Sequence, residues 1–185
     1  ERMKSYIDKP VFVANDANVG ALATFQRMVR EGRLAPDGSL LYLMAGDSLL
    51  GYGGGLVMAG RLHSGAHGAA GEILHPTVLE PIPSLESLPL VVPEPGDEKA
   101  AGVVIELLRP ILEHLAALAM TFDPNVVVLG GALGVLGNPL LAALGGMIAQ
   151  APGFGEYMAD LATDSLVLDP LRPDTIALGA AQLVL

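Results

Sequence analysis

"PNVVVLGG" (residues 124–131) decides the fold class. Three consecutive valines and a leucine make a short, continuous apolar run with no alternation, as in a strand buried on both faces of a parallel sheet. The Gly-Gly pair that closes it marks a sharp turn. Downstream, "NPLLAALGGMIAQ" (138–150) places Pro139 after Asn138, a helix start with the asparagine as cap. "DSLVLDP" (164–170) is a late strand, and "PDTIALGAAQLVL" (173–185) a terminal helix with small residues along one side. Upstream, Asp97 is a good N-cap for a helix from about Glu98 to Phe122, within which Pro110 should produce a kink or a split.

The first half has the same alternation. "PVFVAN" (10–15) is a buried strand, and "DANVGALATFQRMVREG" (16–32) carries Val19, Leu22, Phe25 and Val29 at helical spacing before Gly32 ends it. "PDG" (36–38) is a turn, "SLLYLMAG" (39–46) a strand, and "GYGGGLVMAGRLHSG" (51–65) a hairpin turning at Ala59-Gly60. Residues 76–97 hold prolines at 76, 81, 83, 89, 93 and 95 and form a loop. Strands alternating with helices give an α/β protein, a mixed sheet flanked by helices.

Composition narrows the functions. The net charge of −10 leaves no broad basic surface for a phosphate backbone, so any DNA contact must come from another segment. Without cysteine there is neither a disulfide framework nor a thiolate metal site. Apolar runs stop well short of membrane-spanning length and no secretory leader opens the chain, so a cytoplasmic protein with no membrane partner is expected. The opening "ERMKSYIDKPVFVAN" looks like a helix tail entering a strand, which suggests a portion of a longer protein.

Four segments can carry chemistry. In "ANDAN" (14–18) a strand hands over to a helix, the place where ligands bind in open α/β sheets. Asp16 there can accept a hydroxyl proton or hold a sugar hydroxyl, or it can merely cap the helix while Asn15 steadies a turn. In "GDSLLGYGGGLVMAGRL" (46–62) the glycines can bring backbone amides to a phosphate or can relieve crowding in a hairpin. In "LHSGAHGAAGEILH" (62–75), Glu72 among small residues is open to a polyhydroxy ligand. His63, His67, Glu72 and His75 supply enough ligands for zinc by count alone, but Gly65 argues against the shared helix face that would gather them. In "VVVLGGALG" (126–134), Gly130 and Gly131 can admit a nucleotide base or only close strand-to-helix packing.

In this order the four segments resemble the ROK family of bacterial repressors, open reading frames and sugar kinases. "VANDANVGALA" is similar to its N-D-x-N segment, and "GYGGGLVMAGRLHSGAHGAAGEILH" to its second phosphate loop and G-x-x-G-x-A-G-E-x-x-H signature. "FDPNVVVLGGALG" and "DTIALGAAQLVL" resemble its adenosine-side strand and last helix. The resemblance implies a two-lobed, actin-like (ribonuclease H-like) ATPase fold, with residues 1–185 as its C-terminal portion. It makes Asp16 the general base on a sugar hydroxyl in a kinase, and makes Asn15, Asp16, Glu72 and His75 sugar contacts. His75 is also a zinc ligand in that pattern. Gly51, Gly53, Gly54, Gly130 and Gly131 fall on the phosphate and nucleotide side.

The chain departs from the family at two places. The C-x-C-G-x-x-G-C-x-E motif that should follow His75 is replaced by "PTVLEPIPSLESLPLVVPEPGDE", which removes the cysteine ligands and a downstream glutamate, so no zinc is expected. Where the kinases carry Gly-Thr-Gly, this chain has Leu49-Leu50-Gly51, which offers no hydroxyl to a phosphate. The expectation is a sugar-sensing domain of a ROK-type regulator, a homodimer that reads DNA through a segment outside this chain. Its alternatives are an ATP- and Mg2+-dependent sugar kinase and a degenerate dimerisation scaffold.

Overall fold

The computed structural model describes residues 14–46, 49, 51–73, 92–152, 159–169 and 173–182. Helix α1 (Asp16–Arg30) leads into β1 (Leu40–Ala45), β2 (Tyr52–Met58) and β3 (Arg61–His63). Helices α2 (Glu98–Leu107) and α3 (Arg109–Phe122) precede β4 (Val126–Gly131), α4 (Ala132–Val135) and α5 (Gly137–Ala149). The short helix α6 (Ala159–Thr163), β5 (Leu166–Leu168) and α7 (Pro173–Gln182) follow.

The strands form one sheet in the order β3-β2-β1-β4-β5. The β1–β2 and β2–β3 pairs are antiparallel, whereas β4 runs parallel to both β1 and β5. The valine run at 126–128 is fully inside, between β1 and β5, as its lack of alternation requires. A strand has a two-residue period, so its neighbours face opposite layers. Leu40, Tyr42, Met44, Val126 and Val128 pack under α1, with Ile176 of α7 against them. Leu41, Leu43, Val127 and Leu129 pack with Leu112, Leu115, Leu133, Leu140 and Leu144 from α3 to α5. Each fully buried leucine of this larger layer stabilises the fold by about 1.5–3 kcal/mol.

Local chemistry sets the breaks between elements. Asp97 caps α2, its Oδ1 accepting from the Ala100 N–H at 3.0 Å, and Pro110 divides the long apolar segment into α2 and α3 at Leu108. The β2–β3 turn has Ala59 at φ 48° and Gly60 at φ 74°, the twist that two-residue hairpins need. One helix start departs from expectation. Helix α5 begins at Gly137 rather than being capped by Asn138, because the chain already coils helically through α4 and Leu136. The interruption is made instead by Gly137 at φ 67°, which glycine adopts without a Cβ penalty. The expected strand at 10–15 lies outside the described residues, except for Ala14 and Asn15.

Candidate functional site

The amino end of α1 lies over the start of β2, at the carboxyl ends of β1 and β4, where an open α/β sheet presents its ligand crevice. Asn15 is extended (φ −67°, ψ 138°), and its Oδ1 accepts from the Asn18 N–H at 3.1 Å. The helix cap is therefore Asn15 and not Asp16. Asp16 is the first helical residue, where a carboxylate is favoured by the helix dipole. One of its oxygens accepts from the Ala17 N–H at 2.8 Å, and the side chain is open to solvent.

Glu72 is brought to the same place by close backbone packing. Helix α1 approaches β2 so closely that a Cβ on Gly55 would meet the Ala17 carbonyl and the Ala21 methyl. On the opposite face, the Gly54 N–H donates to the Gly71 carbonyl at 2.7 Å, a contact with no room for a Cβ on Gly71. Ile73 then packs against Gly54 and into the larger core, and its carbonyl lies 3.1 Å from His114 Nε2. With 71 and 73 pinned, the exposed Glu72 faces the helix start, where Asn15 Nδ2 donates to Glu72 Oε1 at 3.5 Å. Two polar side chains and the neighbouring Asp16 carboxylate thus form one exposed edge that can hold adjacent hydroxyls. Charge-assisted hydrogen bonds of this kind are about twice as strong as neutral ones.

The other candidate residues are differently placed. His63 ends β3 and His67 lies in a turn, both exposed, and among the described residues no three His, Asp or Glu side chains gather as a metal set. His75, Leu50 and most of the proline-rich loop lie outside the described residues. Gly51 has open space around its Cα, but a Cβ on Gly130 would strike the Tyr42 hydroxyl, and Gly131, at φ 58°, lies against the Ala45 carbonyl. Leu49, the residue that stands for the first glycine of Gly-Thr-Gly, has φ 56° and is completely buried in the helical core layer. The backbone there is left-handed, and the leucine side chain fills its inner side.

The sequence reading passed over two features. The Tyr42 ring lies between Gly20 and Gly130, and its hydroxyl donates to Asp169 Oδ2 at 2.8 Å inside the protein. Burial first, then the facing Asp169 charge, push the Tyr42 hydroxyl far above the usual tyrosine range. A lone tyrosine in an aliphatic strand between glycines was the available signal. The second feature is a cavity of about 260 Å3 beside Asn15, lined also by Asn18, Leu62 and Ser64. A larger cavity, of about 720 Å3, lies at the opposite end of the strands beside Arg33, Asp37 and Asn125. It is far from the carboxyl ends of the strands.

Known proteins resemble this chain in sequence and in fold. A model of the "ROK family" matches residues 1–83. Residues 1–83 thus resemble the ROK family. The bifunctional enzyme NanE/NanK of Brucella melitensis is 27% identical over 97% of this chain, which spans 35% of that enzyme's length. The ROK hexokinase of Thermus thermophilus superimposes over 98% of this chain and 67% of its own (26% identity, TM-score 0.64). A ROK family glucokinase of Streptomyces griseus, in complex with glucose and AMPPNP, does so over 98% and 70% (18% identity, TM-score 0.66). A ROK family transcriptional regulator, homologous to the E. coli MLC protein, matches over 97% and 52% (20% identity, TM-score 0.62). The fold is thus the mixed-sheet, actin-like ATPase lobe of the ROK sugar kinases. Kinases and a regulator share it, so the choice of role rests on the site. Among the described residues no helix is long and apolar enough to cross a membrane.

Proposed function

We propose that this chain is the sugar-binding, C-terminal portion of a ROK-type transcriptional regulator. Asn15, Asp16 and Glu72 clamp hydroxyls of a carbohydrate effector, and His75 adds a further contact. The observation that carries the sugar reading is the Asn15–Glu72 hydrogen bond beside Asp16, which unites two segments at the crevice end of the sheet. A sensor is favoured over a kinase by Leu49, buried and left-handed where a phosphate loop needs a small residue. The absence of cysteine points the same way, because the ligand set that braces the family's sugar site is gone. Effector binding switches such a regulator by favouring one of two conformations over the other. DNA contact would belong to a basic segment outside these 185 residues, and pairing into a homodimer would match the two-fold symmetry common in DNA operators. Calorimetric titration of the full-length protein with hexoses, pentoses and their N-acetyl and phosphorylated forms tests this reading. Saturable binding of a sugar, lost in Asp16→Ala and Glu72→Ala, is expected; an intact protein that binds none would refute it.

The second reading is an ATP- and Mg2+-dependent sugar kinase. It is favoured by the exposed Asp16 carboxylate at the helix start, placed to take the proton of an attacking hydroxyl. A coupled ADP-release assay on the full-length protein separates the two. Sustained turnover abolished by Asp16→Ala replaces the regulator with the kinase.

A further inference from the structure

Asn18 lies one turn beyond the helix cap and is only 8% exposed, yet among the described residues its Oδ1 has no hydrogen-bond partner. An orphaned buried oxygen is costly, and turning the amide over only leaves an unpaired donor in the same place. The cavity of about 260 Å3 opens beside this amide. Asn15, Asn18 and Ser64 supply its polar lining, Ala14, Val19 and Leu62 its apolar lining, and among the described residues no charged side chain borders it. Asn15 belongs both to this cavity and to the edge where it meets Glu72, so the two lie side by side.

From this arrangement we infer that the cavity is a subsite for a second, neutral sugar ring, so that the ligand is a disaccharide or glycoside rather than a free or phosphorylated monosaccharide. The inference rests on the sugar-binding reading above and names its substrate class. A phosphate or carboxylate entering the cavity would lose its hydration with no cation to replace it. A purely apolar group would leave Asn18 unpaired. A pyranose ring meets both demands: its C–H face lies on Ala14, Val19 and Leu62, and a hydroxyl, both donor and acceptor, pairs with the Asn18 amide after a small rotation of that side chain toward the cavity.

The test is calorimetric titration of the full-length protein with glucose, mannose, maltose, cellobiose, sucrose and glucose 6-phosphate. It is repeated on Asn18→Leu, which keeps the branched outline of the side chain but not its polarity, and on Ser64→Trp, which fills the cavity from an exposed position. At least one disaccharide should bind more tightly than its component monosaccharide. Both variants should remove that advantage, by roughly tenfold for Asn18→Leu, and leave monosaccharide affinity unchanged. If Asn18→Leu does not fold, Ser64→Trp alone decides. Monosaccharide binding as tight as any disaccharide, or equal weakening of both by the variants, overturns the second-ring subsite and leaves the sugar site standing. No binding of any sugar overturns both.

Discussion

Asn15 and Glu72 are 57 residues apart in the chain and joined by a hydrogen bond of 3.5 Å at the open edge of the sheet. Neither is buried, so the contact adds little to stability, and both retain hydrogen-bonding capacity for a ligand. Glu72→Gln keeps the shape and removes the charge. Sugar affinity should fall about tenfold, the difference between a charge-assisted and a neutral hydrogen bond, and stability should change by less than about 0.5 kcal/mol. Titration calorimetry beside urea denaturation reads both. Unchanged affinity would show that Glu72 does not touch the sugar.

The site depends on how closely α1 lies on β2. Gly55→Ala forces a Cβ against the Ala17 carbonyl and the Ala21 methyl, whereas Gly51→Ala meets nothing within 4 Å. The first change should cost about 1–3 kcal/mol by overpacking. It should also weaken sugar binding, because lifting α1 carries Asn15 and Asp16 away from Glu72. The second serves as the control for changing a glycine just before that strand. Equal effects on melting temperature from the two would mean that the helix–strand approach is looser than described.

Local signals in the sequence announced the fold. The unalternating run Val126–Leu129, the glycine at 60 and Pro110 each act within a few residues, so the parallel strand, the hairpin and the α2–α3 break could be read directly. The site was legible in part. The residue types of "ANDAN" and "AGE" pointed to polyol chemistry, but which residue caps α1 depended on the backbone of Asn15. The unpaired Asn18 oxygen comes from tertiary packing and has no local signature, and the Tyr42–Asp169 bond, which spans 127 residues, shows locally only as a lone tyrosine in an aliphatic strand.

Leu49 gives an inverted substitution order. In ordinary buried positions Leu→Gly is worse than Leu→Ala, because glycine gains more freedom in the unfolded chain. At φ 56° a residue with a Cβ is strained by about 1–2 kcal/mol, and only glycine escapes that cost. Both variants should lose roughly 2–5 kcal/mol from the emptied core, but Leu49→Gly should be at least as stable as Leu49→Ala. Urea denaturation of the two variants measures this. The usual order would argue that the left-handed backbone relaxes once the leucine is gone.

The alkaline limb of stability should be shared by Tyr42 and Tyr52. The Tyr42 hydroxyl pKa is raised in the folded protein by burial and by Asp169, relative to about 10 in the unfolded chain. A group with a raised folded pKa contributes its full stability below the unfolded value and loses it as pH climbs toward the folded one. Wild-type stability should therefore fall as pH rises above about 10. In Tyr42→Phe the fall should be shallower, with the slope contributed by Tyr52, also raised by burial, still present. At pH 7 the same variant should be about 1–3 kcal/mol less stable, because Asp169 loses a buried donor. Urea midpoints measured from pH 7 to 11 on both proteins give the two effects separately. Parallel alkaline limbs would show that Tyr42 ionises as readily folded as unfolded, and that the slot between Gly20 and Gly130 opens to water before the chain unfolds.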